Sequence, residues 1–190
     1  GAVSKAVTAA YLSSSGNAFS TRTASQIVQE HFPPSPNAVG LESGPLFGVQ
    51  FSSLPCSDLV SRFVPGGGAG ALIGPKRTPL GLSADPGGLA LYKNGVVVGG
   101  IGVMADGVYG FDSNILDVDN DDEEYIALAG TRSFEAPTAI RADRISVDGT
   151  LLRYSDATPD KLRATGAAPA FSAINGVAGA LSALTGYSSG

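Results

Sequence analysis

The 190-residue sequence predicts a mixed α+β fold: an antiparallel β-sheet of hairpins covered by helices. Three observations carry this. Apolar residues recur at helical spacing near the N-terminus, an Asn-Gly pair separates two β-rich runs at residues 89–104, and helices and hairpins mix without the βαβ alternation of a parallel sheet.

The first element is a helix over Ala2 to Leu12. Val3, Ala6, Val7, Ala10 and Tyr11 fall at helical spacing, and Gly16-Asn17 supplies the stop. A second helix is expected from about Thr23 to Phe32, where Ile27, Val28 and His31 share a face and Pro33-Pro34 cannot continue the ladder. Pro36, Asn37 and Gly40 mark a loop. From Leu46 to Phe51, the residues Phe47, Val49 and Phe51 alternate with smaller or polar ones, the period of a half-buried strand. A short helix follows over Pro55 to Phe63. The glycine run after Pro65 and the prolines at 75, 79 and 86 keep the chain irregular as far as Gly88.

Residues 89–104 hold the clearest signal. Leu-Ala-Leu-Tyr-Lys leads into Asn94-Gly95 and then Val-Val-Val-Gly-Gly-Ile-Gly-Val, and Asn-Gly accepts the two positive φ values of a type I′ turn, so a hairpin is predicted. Gly99, Gly100 and Gly102 remove side chains from its second strand where a bulge, a helix or a ligand comes close. Asp119, Asn120 or Asp121 caps a helix over about Glu123 to Gly130, with carboxylates at its positive end. Asp148-Gly149 marks a second hairpin within Ile145 to Tyr154. Residues 1–165 are read as one domain, and 166–190 as a small-residue-rich tail or docking segment, since its many glycines disfavour a solitary helix. No solenoid-type repeat is present in the sequence.

Composition narrows the function classes. A hydrophobic content of 43% supports one substantial core. Seventeen acidic against twelve basic residues, a net charge of −5, give no electropositive face for phosphate backbones, so nucleic-acid binding is disfavoured. Every apolar run is interrupted short of the roughly 20 residues that span a bilayer. The sequence opens on Gly1 without a basic-then-apolar leader, which reads as a processed or otherwise non-native terminus. A lone Cys56 rules out an internal disulfide and a Cys-based zinc cluster. Low lysine, high glycine and acidic balance fit an exported bacterial protein as well as a cytoplasmic one, with the periplasmic or secreted side favoured.

The motifs that carry chemistry are incomplete. In the run Gly66 to Gly74, Lys76 follows Pro75 rather than Gly, which breaks the phosphate-loop spacing. The acids Asp117 to Glu124 resemble the start of a calcium loop but have Asp122 at its sixth position and Leu128 at its twelfth, so a solvated, self-capped helix start is the preferred reading. Cys56 reads as a buried structural thiol before a reactive one. His31, the only histidine, must serve any Cys-His or Ser-His pair or imidazole metal site, against the commoner reading of a surface or helix-end histidine. No catalytic constellation is complete, and enzyme status is left open.

Three segments, Ser4-Lys5-Ala6-Val7-Thr8-Ala9-Ala10-Tyr11, Gly87-Gly88-Leu89-Ala90-Leu91-Tyr92 and Val98-Gly99-Gly100-Ile101-Gly102-Val103, together resemble the GlcG/HbpS-like family of haem-binding or haem-degrading domains. The C-terminal domain of PduO-type corrinoid adenosyltransferases is similar to that family. The resemblance implies a helix-on-sheet sandwich, frequent homo-oligomers, and haem as ligand, with cobalamin the less favoured tetrapyrrole. It departs from the family in lacking an Ala-Ile-Val-Asp-like strand pair before the Lys-Ala helix, so either this chain is a fragment from which those strands are missing or a companion fragment of the same precursor supplies them. The stretches Thr21 to Lys76 and Ala105 to Ala139 are longer than in short family members, and no pocket residues are carried over there.

On this resemblance a planar ligand or neighbouring subunit approaches the Lys5–Tyr11 helix and the strand bearing Gly99, Gly100 and Gly102. Lys5 or Arg22 would meet a haem propionate, and His31 is the candidate axial ligand. Helix-on-sheet packing explains the same glycines equally well. Two further readings stand beside tetrapyrrole binding. One is an assembly module without cofactor; the other is an enzyme acting on a small organic acid, for which no acid/base pair stands out.

Overall fold

The computed structural model of the chain describes residues 1–32, 40, 42–49, 51–53, 81–106, 108–112, 114 and 116–162. Helix α1 (Ala2–Leu12) is alanine-rich for a packing reason. A β-carbon at Gly100 would run into the carbonyl of Ala6 and approach Ala10, and one at Gly102 would strike the backbone of Ala2 and Ala6. Small residues on both partners let helix and strand backbones touch. Around the helix from this face, Ser4 and Thr8 are buried: Ser4 Oγ donates to the Gly81 carbonyl at 2.5 Å, and Thr8 Oγ1 accepts from Ser83 N at 2.7 Å. The remaining flank, Val3, Val7 and Tyr11, is exposed at 71, 38 and 79%.

Helix α2 (Thr21–Ile27) begins two residues earlier than its apolar spacing suggests, because Ser20 caps it. Ser20 Oγ accepts from Thr23 N at 3.0 Å while Thr23 Oγ1 accepts from Ser20 N at 3.2 Å, a reciprocal capping box. It also ends earlier than expected, before His31. The Ile27 and Gln29 carbonyls accept from Leu46 N (3.0 Å) and Gly44 N (2.8 Å), so a returning segment takes the bonds that would have extended the helix.

The strand expected over Leu46 to Phe51 does not form. Residues 45–48 make turns, with Phe47 N bonded to Gly44 O at 2.9 Å and Val49 N to Leu46 O at 3.1 Å, and Gly48 adopts φ +81°. Of the described residues in this stretch only Phe51 is extended, through an isolated parallel bridge to Leu82. Alternation sets which faces a strand presents, but a strand needs a partner along its length, and here the backbone bonds are spent locally. The helix expected over Pro55 to Phe63, Cys56, the glycine run at 66–74 and the tail at 166–190 lie outside the described residues.

Strands β1 (Gly88–Lys93) and β2 (Val96–Gly102) form the antiparallel hairpin, with Asn94 at φ +52° and Gly95 at +78° in the turn. Gly88 pairs with Gly102, Ala90 with Gly100 and Leu91 with Gly99; the register then shifts so that Tyr92 pairs with Val97, leaving Val98 as the extra residue of a bulge. The far edge of β1 is covered, by a bridge from Ser20 to Leu89 and by Tyr92 N donating to Phe134 O at 2.8 Å. The far edge of β2 has no strand partner among the described residues.

Helix α3 (Asp122–Gly130) starts at Asp121, whose Oδ1 accepts from Glu124 N at 3.0 Å, with Asp122, Glu123 and Glu124 in its first turn. Its last residue, Gly130, abuts Ile101, which points away from α1. The second hairpin is short: β3 (Ser146–Val147) and β4 (Thr150–Leu151) flank Asp148 and Gly149, both at positive φ. Leu89, Ala90, Tyr92, Ala9, Ala127 and Tyr154 share the main core. The fold is therefore mixed α+β with small antiparallel sheets. No helix among the described residues is long and apolar enough to cross a membrane.

Candidate functional site

The polar residues that sequence singles out lead into two buried ionic clusters. Lys5 lies on α1 beside its alanine face, and its side chain is fully buried. Its ammonium sits between the carboxylates of Asp85 and Glu123 and pairs with both. Burial pushes the Asp85 carboxyl up to about 6, against the pull of Lys5 and the Gly110 N–H at 3.1 Å. Burial acts the same way on Glu123, but there the Lys5 hydrogen bond and the N–H groups of Ala105 and Asp106 prevail and hold the carboxyl below its ordinary range.

Arg22 sits in the first turn of α2 and is 1% exposed. Its guanidinium contacts Glu124 Oε2 at 3.0 Å through Nη2, and Asp119 Oδ2 at 2.7 Å, Asp112 Oδ2 at 2.9 Å and Asp156 Oδ2 at 3.7 Å through Nη1. Burial alone would depress its pKa; the hydrogen bonds and charge of Glu124, with those of Asp119 and Asp156, raise it instead. One cation thus anchors four carboxylates from three parts of the chain.

These contacts also account for the acidic run at residues 117–124. Asp119 and Glu124 face Arg22, Asp121 caps α3, and Glu123 faces Lys5. The Asp112, Asp117 and Asp119 carboxylates come within 4.8 Å of one another, and Arg22 already places its charge on two of them.

The glycines divide between two faces. Gly100 and Gly102 are filled by α1, and a β-carbon at Gly102 would lie 3.0 Å from Lys5 Cβ, so these three residues come together. Gly99 faces the other way, and a β-carbon there would meet nothing within 4 Å. His31 lies past the end of α2, exposed, and among the described residues it makes no hydrogen bond or ion pair with Lys5, Arg22 or the glycines. The partners Asp85, Asp112, Glu123, Glu124 and Asp156 were not singled out by sequence as site residues. The signal that could have found two of them is the adjacent Glu123-Glu124 pair in a helix whose Ala127 is buried, since acids next to a core position need buried counterions.

No family model, curated protein or solved structure matches the chain.

Proposed function

We propose that this chain is a tetrapyrrole-binding domain of the GlcG/HbpS-like kind, non-catalytic or weakly haem-degrading, in which a planar ring approaches β2 at Gly99. The observation that carries the reading is the open space over Gly99. Of the three strand glycines it alone is not used by α1, and a missing side chain beside open space lets a flat apolar group reach backbone. The three segments that resemble the family support it, because α1, β1 and β2 pack as one unit. In this reading the hairpin belongs to the central layer of a sandwich.

The residues fit haem unevenly. His31 is exposed and unengaged, which suits an axial ligand to iron. Lys5 and Arg22 do not suit propionates, since internal carboxylates already occupy them; their work is to position α1 and α2. Haem would supply the visible chromophore and any redox chemistry, and the protein a flat backbone surface and an imidazole. An absorbance titration with haemin, matched by one with cobalamin, tests the reading. A saturable one-site Soret shift, lost in His31→Ala and weakened in Gly99→Val, is expected with haemin; absence of any shift overturns it.

A second reading, an oligomeric assembly module without cofactor, draws on a different observation. Beside the unpartnered edge of β2, Val96 and Val98 are each 54% exposed. The exposed Val3, Val7 and Tyr11 of α1 lie one residue on from the sheet-facing Ala2, Ala6 and Ala10, about 100° round the helix on the side away from Lys5 and β1. An open edge next to an apolar stripe suits association with another chain.

A further inference from the structure

A cleft of about 640 Å³ lies against α3, lined among others by Tyr125, Ile126, Leu128, Arg132, Arg141 and Leu162. That size falls within the roughly 300–1,000 Å³ of small-molecule sites. Its wall is apolar, with Ile126 51% exposed. Among the described residues, its two guanidinium groups keep hydrogen-bond donors unused. Arg141 is held in place by its Nε, which donates to the Ala136 carbonyl at 3.0 Å, and by its position 5.1 Å from the centre of the Tyr154 ring; neither Nη makes a hydrogen bond. Arg132 is exposed and has no ion pair. Lys161 lies 5.9 Å from the centre of the Tyr125 ring. Among the described lining residues Glu135 is the single acid against Arg132 and Arg141, so this wall is cationic in a chain of net charge −5.

We infer that this cleft binds a small apolar or aromatic monocarboxylate, its body against Ile126 and Leu128 and its carboxylate facing Arg132 and Arg141. Guanidinium pairs with carboxylates in this way because its planar fork matches both oxygens. The inference does not rest on the tetrapyrrole reading.

The test is calorimetric titration of the full chain with 2-naphthoate and with its neutral analogue 2-naphthylmethanol, repeated on Arg132→Gln and Arg141→Gln. Saturable one-to-one binding of naphthoate is expected, with affinity about tenfold lower for the alcohol and for each variant, the size of one lost charge-assisted hydrogen bond. Thermal melts separate folding from binding: Arg132 is exposed, so the Arg132→Gln midpoint stays near that of the parent. Lack of saturation, equal binding of acid and alcohol, or full affinity in both variants overturns the inference.

Discussion

Arg22 and Glu124 are joined by a bidentate ion pair, Nη2 to Oε2 at 3.0 Å and Nε to Oε1 at 3.3 Å, with both side chains 1% exposed. The neighbouring Glu123 pairs with Lys5, so the first turn of α3 is tied to α2 by one residue and to α1 by the next. Removing one partner of such a pair leaves a buried charge unanswered, and Arg22→Gln leaves Glu124 so, while Asp156 keeps Arg153 and Asp119 is 40% exposed. The expected loss is on the order of 3–5 kcal/mol, read from urea denaturation. Arg22→Lys keeps the charge but not the fork and should lose less.

The strand glycines give a paired comparison. Gly100→Ala drives a β-carbon into the Ala6 carbonyl and should cost about 1–3 kcal/mol, the usual penalty of overpacking. Gly99→Ala meets open space and should gain about 0.5 kcal/mol from reduced chain entropy in the unfolded state. Equal losses at both positions would show that the open face of β2 is filled.

Much of the fold is legible locally. The Asn-Gly turn, the alanine and valine spacing of α1 and the acids ahead of α3 each act within a few residues, and each element appears where those signals put it. The failures are also physical. At residues 46–51 alternation mimicked a strand, but Phe47 and Val49 sit in turns whose bonds close within three residues. The ionic clusters were illegible because their partners are remote: Lys5 and Glu123 are 118 positions apart, Arg22 and Glu124 102. Sequence marks Lys5 and Arg22 as cations that could meet a carboxylate, and only the fold decides that it is the protein's own.

Asp85 predicts a pH dependence. Its carboxyl is raised from 3.8 unfolded to about 6 folded, so the folded state holds the proton more tightly between those values. Its contribution to stability is complete below 3.8 and is lost as pH rises through about 6. Asp85→Asn removes this titration while Lys5 retains Glu123. The stability difference between variant and parent should therefore shift toward the variant from pH 4 to pH 7, by on the order of 2 kcal/mol at ~1.4 kcal/mol per pKa unit. Urea midpoints at pH 4, 5.5 and 7 check it, and a pH-independent difference contradicts it. Glu123, shifted the opposite way, is common to both proteins and cancels.

The exposed edge of β2 makes the last prediction. Val98 is the unpaired residue of the bulge and Tyr11 is 79% exposed, so neither contributes much to the folded monomer. Changing both to lysine should leave stability within about 0.5 kcal/mol per site, the range of ordinary surface substitutions. A lysine on an open edge opposes strand-to-strand pairing, because pairing would strip its charge of water. If the edge mediates assembly, sedimentation velocity should show a concentration-dependent oligomer in the parent and a monomer in Val98→Lys/Tyr11→Lys, with unchanged urea midpoints measured below the association range. A parent that stays monomeric at every concentration removes self-assembly as the role of this face. An oligomer that survives both lysines moves the contact elsewhere, because two buried charges beside an apolar stripe would have broken it.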